Sequence, residues 1–351
     1  AHIPGNPSFT GILPVQFQGL VQIQYVCSQT IRNILTVTGR KRIFQDAHLI
    51  LHLQQEKDMH LKFQPLDLES QEEYNRFLKL CPEVTSDYSF VNLWAWRDIY
   101  NLEWAFEQDL VWIRQNSPTR ALWSPVGNWD DIDWRTKFQD LELLEFIRIP
   151  ERLYYIWNDT PGYTPEFYSD PDHWDYIYSV QELIDLQGNR FHKKKNLLKQ
   201  FMRKYNFVYY SLSEDKIEKA LTLQTEWCMW RDCEDSTTLE AENKAILNTL
   251  EDYSKLDGLI SGALEVEDRM VAFSIAEALD SETVVIHFEK GCPTYKGVYQ
   301  AINQQFLANS ASGFTYVNRE QDIGDPGLRQ AKKSYNPIGY QKKYSGRVVQ
   351  S

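Results

Sequence analysis

The chain has few cysteines for its length and no paired metal-binding motif among them. Its five cysteines, in 351 residues, include no Cys-x-x-Cys pair. Cys228 and Cys233 are close enough in sequence to share a metal ion, but no second Cys or His pair lies near them. An odd number of cysteines in a long chain favours free thiols in a reducing compartment. We therefore predict a cytoplasmic protein without a metal site.

Charge is missing from the start of the chain, and the overall balance is acidic. Residues 1–31 contain no Lys, Arg, Asp or Glu, but Pro14 and five glutamines from Gln16 to Gln29 interrupt the apolar residues. No basic segment precedes this stretch, so we expect neither a transmembrane segment nor a signal peptide here. The net charge of −12 argues against a protein that binds nucleic acid or anionic membranes over its whole surface. Any such binding must be local.

The pattern of the sequence changes at Met59, its first methionine. Before Met59, prolines and mixed Gln, Ile and Leu residues show no sustained period, whereas helix and strand patterns alternate after it. We expect residues 1–58 to be an N-terminal extension that is either poorly ordered or not native to the protein. A segment rich in Pro, Gly and acids, 158–180, predicts a connector. The two predicted domains are therefore 59–180 and 181–351.

The second half has the element order of an α+β protein. Three short strands between 259 and 290 are followed by a glycine-flanked loop, a helix and two further strands, the last one at 340–349. An antiparallel meander that leads into a helix and more strands is not a Rossmann order. We predict an α+β fold with mixed, mainly antiparallel sheets flanked by helices. The seven tryptophans from Trp94 to Trp134 are expected in its core.

Four segments occur in the order of one family's signature blocks. They are SDYSFVNLWAWRD, GNRFHKKKNLLKQF, VVIHFEKGCPTYKGVYQAINQQF and YVNREQDIGDPGLRQAKKSYNP. Together they resemble the phosphatidylglycerol lysyltransferase C-terminal domain family, which is similar to tandem GNAT (acyl-CoA N-acyltransferase) domains and to Fem-type peptidyl transferases. The resemblance implies two tandem GNAT-like domains. It also implies transfer of an aminoacyl group from aminoacyl-tRNA to a lipid headgroup.

The loop GCPTYKG, at 291–297, stands where a GNAT-like fold binds phosphate at the start of a helix. Gly297 allows the backbone to approach an anion, Lys290 and Lys296 supply positive charge, and Tyr299 follows as a further substrate-binding candidate. The loop lacks the glycine-rich pyrophosphate signature of acetyl-CoA enzymes. Aminoacyl-tRNA is therefore preferred to acyl-CoA as the donor, and no other cofactor is required. A plain strand-to-helix turn would explain the same residues.

Three carboxylates are the candidate catalytic residues, because acyl transfer needs a proton acceptor: Glu289, Glu320 and Asp322. Glu289 matches the Glu-Lys pair of the family's block. Period-2 alternation along the strand predicts that it shares a face with His287, which a hydrogen-bonded core role also explains. If the chain after Asn318 is extended, Glu320 and Asp322 project together from one face, and Arg319 projects from the other.

Cations accompany these acids. Arg319 lies between Asn318, at the end of the strand, and Glu320. A helix follows, with Asp325 as its N-cap and proline at its first position. This helix carries Arg329 and Lys332. Guanidinium and ammonium groups bind carboxylates and phosphates, so we predict that Arg319, Arg329 and Lys332 orient anionic parts of the substrates.

A basic run precedes the second domain's strands. Seven Lys or Arg residues and no acid lie between Arg190 and Lys204. In an acidic protein this predicts an anion patch, formed by Arg190, Lys193, Lys194 and Lys195, for tRNA or an anionic lipid headgroup. A solvated helix face balanced by the acidic connector is the structural alternative.

The sequence thus predicts an aminoacyl- or acyltransferase that moves an activated acyl group, from aminoacyl-tRNA, to an amine or hydroxyl acceptor. The expected acceptor is a phospholipid headgroup or a small-molecule amine. Two alternatives stay open: a non-catalytic GNAT-like binding protein, and an acetyl-CoA-dependent N-acetyltransferase.

Overall fold

Two β-sheets flanked by helices form the fold in the computed structural model, which describes residues 61–141 and 144–350. The predicted extension at 1–58 lies outside these described residues. The helices are α1 Gln71–Leu78, α2 Phe90–Tyr100, α3 Trp134–Leu141, α4 Glu151–Asn158, α5 Val180–Asp185, α6 His192–Lys204, α7 Ile217–Arg231, α8 Thr237–Glu251, α9 Val298–Ser310 and α10 Pro326–Lys333. The strands are β1 Gln64–Pro65, β2 Leu102–Phe106, β3 Leu110–Gln115, β4 Ala121–Trp123, β5 Val126–Gly127, β6 Glu145–Pro150, β7 Tyr163–Ser169, β8 Asp175–Ser179, β9 Phe207–Tyr210, β10 Leu259–Val266, β11 Arg269–Ala278, β12 Thr283–Gly291, β13 Tyr316–Asn318, β14 Gly339–Gln341 and β15 Lys343–Gln350.

The first sheet has the strand order β1-β2-β3-β4-β6-β15-β7, with β5 also paired to β3. Its pairs are antiparallel except for β4 with β6. The second sheet has the order β14-β8-β13-β12-β11-β10-β9, and its parallel pair is β12 with β13. Each parallel pair has a helix in the connecting segment, α3 in the first sheet and α9 in the second. The predicted α+β class with two mixed, mainly antiparallel sheets is confirmed.

The two sheets exchange one strand each. Strand β8, from the first half of the chain, lies between β13 and β14 in the second sheet. Strand β15, the last of the chain, lies between β6 and β7 in the first sheet. The single final strand predicted at 340–349 is therefore wrong: its residues form β14 and β15, which belong to different sheets. Lys342 is the single residue between the two strands, so the chain passes from one sheet to the other at this position.

The predicted boundary after 158–180 stays a prediction. Because β8 and β15 are exchanged, the predicted halves 59–180 and 181–351 each lack one strand of their own sheet. The tryptophan core is as expected: of the seven tryptophans from Trp94 to Trp134, only Trp96 is more than marginally exposed. Aromatic packing such as Trp104 on Tyr74 fills the space between the first sheet and its helices.

Candidate active site

Strand β12 carries a β-bulge at His287. Ile275 pairs with Phe288 and Ala276 pairs with Ile286, so His287 is an extra residue without a partner on β11. The bulge turns the strand over: Ile286 packs into the core beside α9, whereas Phe288 packs into the core beside α7 and α8. The predicted alternation, with His287 and Glu289 on one face, is therefore wrong. A bulge inserts one residue, and this reverses the faces beyond it.

His287 is buried between two carboxylates. Its Nδ1 lies 2.7 Å from Glu320 Oε1 and its Nε2 lies 2.8 Å from Glu277 Oε1. Ser89 Oγ, at the N-cap of α2, is a further 3.3 Å contact of Nε2. Burial lowers the pKa of His287, but the bonds to Glu277 and Glu320 outweigh burial and raise that pKa to about 9. The raised pKa makes the ring an imidazolium near neutral pH, paired with both carboxylates.

Glu289 lies on the α9 side of the sheet, and its side chain is 9% exposed. Its Oε1 accepts from Arg319 at 3.1 Å and its Oε2 accepts from Asn303 of α9 at 3.1 Å. The Arg319 guanidinium carbon in turn lies 4.9 Å from the centre of the Tyr335 ring. On that same ring, Lys194 Nζ lies 3.9 Å from the centre. Residues from β12, α6 and the segment after β13 therefore meet at one mixed-charge cluster around the Tyr335 ring.

Two lysines next to this cluster have lowered pKa values. Burial, together with nearby Arg319, lowers the pKa of Lys194 to about 8. Burial also lowers the pKa of Lys332 to about 8. Lys332 Nζ donates to the carbonyl oxygens of residues 319, 320 and 321, at 2.5, 3.1 and 2.6 Å. Lys332 thus fixes the backbone of the segment after β13, and this use of its ammonium group competes with the predicted substrate contact.

The segment after β13 is not extended. Glu320 and Ile323 have φ values of 55° and 47°, in the left-handed region that side chains rarely adopt. The predicted alternation of residues 319–322 is therefore wrong. Glu320 points to His287, whereas Asp322 points to α10. The two acids do not project together.

Asp322 is buried and fully engaged. It accepts from Arg329 through both oxygens, at 2.7 and 2.8 Å, and from Tyr176 Oη at 2.5 Å. Arg329 also pairs with Asp172. Burial raises the pKa of Asp322, but the bonds to Arg329 and Tyr176 outweigh this and lower the pKa to about 2. The predicted start of α10 is confirmed, since Asp325 Oδ1 accepts from the Leu328 amide at 2.6 Å.

The loop 291–297 separates its two predicted lysines. Lys290 is buried, with Nζ 2.8 Å from Glu242 Oε2 of α8 and 3.8 Å from the centre of the Trp227 ring. Lys296 is exposed on the other side of the loop. Tyr299 Oη accepts from Trp227 Nε1 at 3.0 Å. Gly297 has a φ of 89°, and a Cβ there would lie 2.3 Å from the Leu197 carbonyl oxygen, so α6 packs directly on the loop.

The predicted anion patch is divided along α6. Arg190, just before the helix, pairs with Glu182. Lys193 is exposed and Lys195 is half-exposed, whereas Lys194 turns inward to the Tyr335 ring. Of the four predicted patch residues, Lys193 and Lys195 remain on the surface, and Lys194 belongs to the mixed-charge cluster.

The structure contains a second buried ion network, which the sequence did not predict. Lys343, at the start of β15, lies 2.5 Å from Asp87 and 2.6 Å from Asp175. Arg148 also pairs with Asp87, and its φ of 59° is another left-handed value. Lys343 donates to the Gln321 side chain at 3.2 Å, which ties this network to the segment after β13. No local motif marks these residues, because Asp87 and Lys343 are 256 positions apart.

The cysteine prediction is partly wrong. Cys228 and Cys233 form a disulfide that joins the last turn of α7 to the following turn. Cys81 and Cys292 are free thiols. In residues 61–141 and 144–350, no three His, Cys, Asp or Glu side chains are grouped to hold a metal ion. Among the helices that the structure describes, none combines the length and apolar character needed to cross a membrane.

The two sheets, each with a parallel pair beside a helix, give the α+β architecture with two mixed sheets that the sequence predicted. A family model described as phosphatidylglycerol lysyltransferase, C-terminal, matches residues 78–346. This chain therefore belongs to that family, and the resemblance drawn from its four sequence blocks is confirmed.

Solved structures and one curated relative extend the comparison. A conserved protein of unknown function from Bacteroides thetaiotaomicron is 26% identical, with a TM-score of 0.72 over 83% of this chain and 100% of that chain. The L-PGS structure from Bacillus licheniformis is 14% identical, with a TM-score of 0.54 over 79% and 91%, and it shares the fold alone. An uncharacterized protein of Mycoplasmoides gallisepticum is 25% identical over 181 residues, which are 50% of this chain and 56% of that protein. The match thus spans about half the length of that relative.

Proposed function

We propose that the protein is an aminoacyltransferase that moves an activated acyl group from aminoacyl-tRNA to an amine or hydroxyl acceptor. Its family includes phosphatidylglycerol lysyltransferases, whose name describes transfer of a lysyl group to a phospholipid headgroup. A phospholipid headgroup is therefore one acceptor class, and a small-molecule amine is the other. Charged tRNA is a cytoplasmic substrate, so the proposal keeps the predicted cytoplasmic location.

The mixed-charge cluster around the Tyr335 ring carries the proposal. In this cluster the mostly buried carboxylate of Glu289 accepts from the Arg319 guanidinium. Arg319 and Lys194 both contact the Tyr335 ring. Perturbed titratable groups that converge in a partly solvated place are typical of catalytic sites. We assign Glu289 the role of accepting the acceptor's proton or of holding the donor's ammonium group. Arg319 and Lys194 would orient a phosphate or carboxylate.

Glu320 and Asp322 take a different role in this proposal. Glu320 is bonded to the His287 imidazolium, and Asp322 is bonded bidentately to Arg329. These contacts, both 2.7 Å, are shorter than the 3.1 Å contact between Glu289 and Arg319, so Glu320 and Asp322 are the more tightly held carboxylates. We infer that both residues position the segment that carries Arg319. Arg329 and Lys332 hold the same segment.

Transfer assays with one conservative variant test this assignment. The purified protein is incubated with tRNA charged with labelled amino acids, and with either a total lipid extract or a mixture of small amines. Products are identified by mass spectrometry. We expect Glu289→Gln to lower kcat by at least about a hundredfold, and circular dichroism at the assay temperature checks that the variant is folded. Absence of product with every donor, or equal rates for wild type and Glu289→Gln, would contradict the proposal.

A non-catalytic binding protein is the second candidate, because every predicted carboxylate already has a protein partner. Such a protein would bind charged tRNA, or a lipid, without forming a product. Acetyl-CoA in the same assay covers the N-acetyltransferase alternative. An acetylated product formed in the absence of tRNA would favour that enzyme instead.

A further inference from the structure

Three cations meet in a shallow pocket at the C-terminal end of α6. The pocket has a volume of about 290 Å³ and is lined by Gln200, Arg203, Lys204 and Lys296. Arg203 and Lys204 come from the last turn of α6, whereas Lys296 comes from the loop 291–297. In the described part of the chain, no ion pair joins any of the three to a carboxylate. An unneutralised group of cations in a concave site is unusual in a protein with a net charge of −12.

The helix end alone does not account for this pocket. Cations in the last turn of a helix interact favourably with its dipole, which is sufficient reason for Arg203 and Lys204. Lys296 belongs to the loop 291–297, so the dipole of α6 does not explain its position in the pocket. The contact between Gly297 and the Leu197 carbonyl holds its loop against α6. Tyr295 and Tyr205, with ring centres 4.9 Å apart, hold the loop at a second point.

The pocket continues along one face of α6. Lys193, Gln200 and Lys204 are spaced by seven and four residues, so they lie on one face of the helix. Lys193 and Lys204 are separated by about 16 Å along the helix axis, at 1.5 Å per residue. Several consecutive phosphates of a nucleic-acid strand span such a distance, and a single lipid headgroup does not.

We propose that this pocket binds one backbone phosphate of an RNA strand that runs along the Lys193 face of α6. The proposal rests on the proposed function, because it names the residues that hold the phosphate side of an aminoacyl-tRNA donor. It keeps Lys296 in the role predicted for it and replaces the buried Lys290 with Arg203 and Lys204. Gln200 would donate a hydrogen bond to the same phosphate.

Binding of a short, fluorescently labelled single-stranded RNA to the full chain tests the proposal. We expect Lys296→Gln, and the triple variant Arg203→Gln, Lys204→Gln and Lys296→Gln, to weaken binding, the triple variant by about tenfold. The slope of log affinity against log salt should become shallower by about 0.7, the value for one phosphate on a single strand. These side chains are exposed, so circular dichroism and thermal unfolding should show unchanged folding.

Lys199→Gln is the matched control. Lys199 is exposed one turn before Arg203 but does not line the pocket, so the same loss of charge should change affinity less than twofold. Inorganic pyrophosphate should compete with RNA for the wild type and much less for the triple variant. Vesicles that contain phosphatidylglycerol should bind wild type and triple variant equally.

Three results would overturn the assignment: equal RNA affinity and salt slope in wild type and triple variant, an equal loss in Lys199→Gln, or vesicle binding that alone depends on the pocket. No acyl group is present in these measurements. The assignment of the pocket can therefore be wrong even if transfer activity is found. Equally, RNA can bind to the pocket even if the assay detects no transfer.

Discussion

Lys343 Nζ lies 2.6 Å from Asp175 Oδ1, and this contact joins the first residue of β15 to the first residue of β8. These are the two strands that the sheets exchange. The same ammonium group lies 2.5 Å from Asp87 and donates to Gln321. Burial lowers the pKa of Lys343, but Asp175 and Asp87 outweigh burial and raise it, so the lysine is charged. One buried cation therefore connects both sheets with the segment that carries the candidate site.

Removal of this cation should destabilise the protein strongly. Lys343→Met keeps the size of the side chain but leaves Asp175 buried without its cation, which typically costs about 3–5 kcal/mol. Urea unfolding at neutral pH measures the loss. Lys342→Met is the matched control, because Lys342 is 41% exposed and pairs with Glu151 at the surface. We expect it to cost less than about 1 kcal/mol. Equal losses in the two variants would contradict the role of the network.

Exchange of strands should make the two halves depend on each other. Residues 59–180 produced alone lack β15, and residues 181–351 produced alone lack β8. Each fragment leaves backbone groups of two strands unpaired, so we expect neither to show a cooperative thermal transition. Mixing the fragments should restore one transition. Dispersed amide spectra from either fragment alone would show instead that the predicted boundary separates independent domains.

Glycine at position 297 should be required for the packing of α6 on the loop. Gly297→Ala places a Cβ 2.3 Å from the Leu197 carbonyl oxygen at a φ of 89°. Gly258→Ala is the control, since it has a similar φ of 80° but no atom within 4 Å of its added Cβ. The control isolates the backbone cost of about 1–2 kcal/mol, and we expect Gly297→Ala to exceed it by at least about 1 kcal/mol. Chemical unfolding of both variants gives the comparison, and equal values would mean that α6 moves aside freely.

The sequence predicts this fold well and the candidate site poorly, for one physical reason. The N-cap at Asp325 and the buried tryptophans depend on residues close in the chain, and these features appear in the structure as expected. The bulge at His287 and the turn at Glu320 depend on partners from other elements. The Asp87 and Lys343 pair is the extreme case. Since these long-range contacts decide where each carboxylate points, periodicity alone misplaced Glu320 and Asp322.

His287 should make stability fall as pH rises. Its pKa is about 9 in the folded protein and about 6.5 when unfolded, so the folded state holds more protons between these values. The stabilisation is therefore complete below pH 6.5 and is lost as pH rises to 9. A difference of this size corresponds to about 3 kcal/mol.

Urea unfolding of wild type and His287→Gln from pH 6 to pH 9.5 measures the effect. Lys194 and Lys332 have pKa values lowered to about 8, so they titrate in the same range with the opposite sign. The readout is consequently the difference between the two proteins, which we expect to shrink as pH rises. His192→Gln removes an exposed histidine at the start of α6 and should keep the wild-type pH dependence. A constant difference between wild type and His287→Gln would show that the ring is neutral in the folded protein, and the assignment of a structural imidazolium would then be wrong.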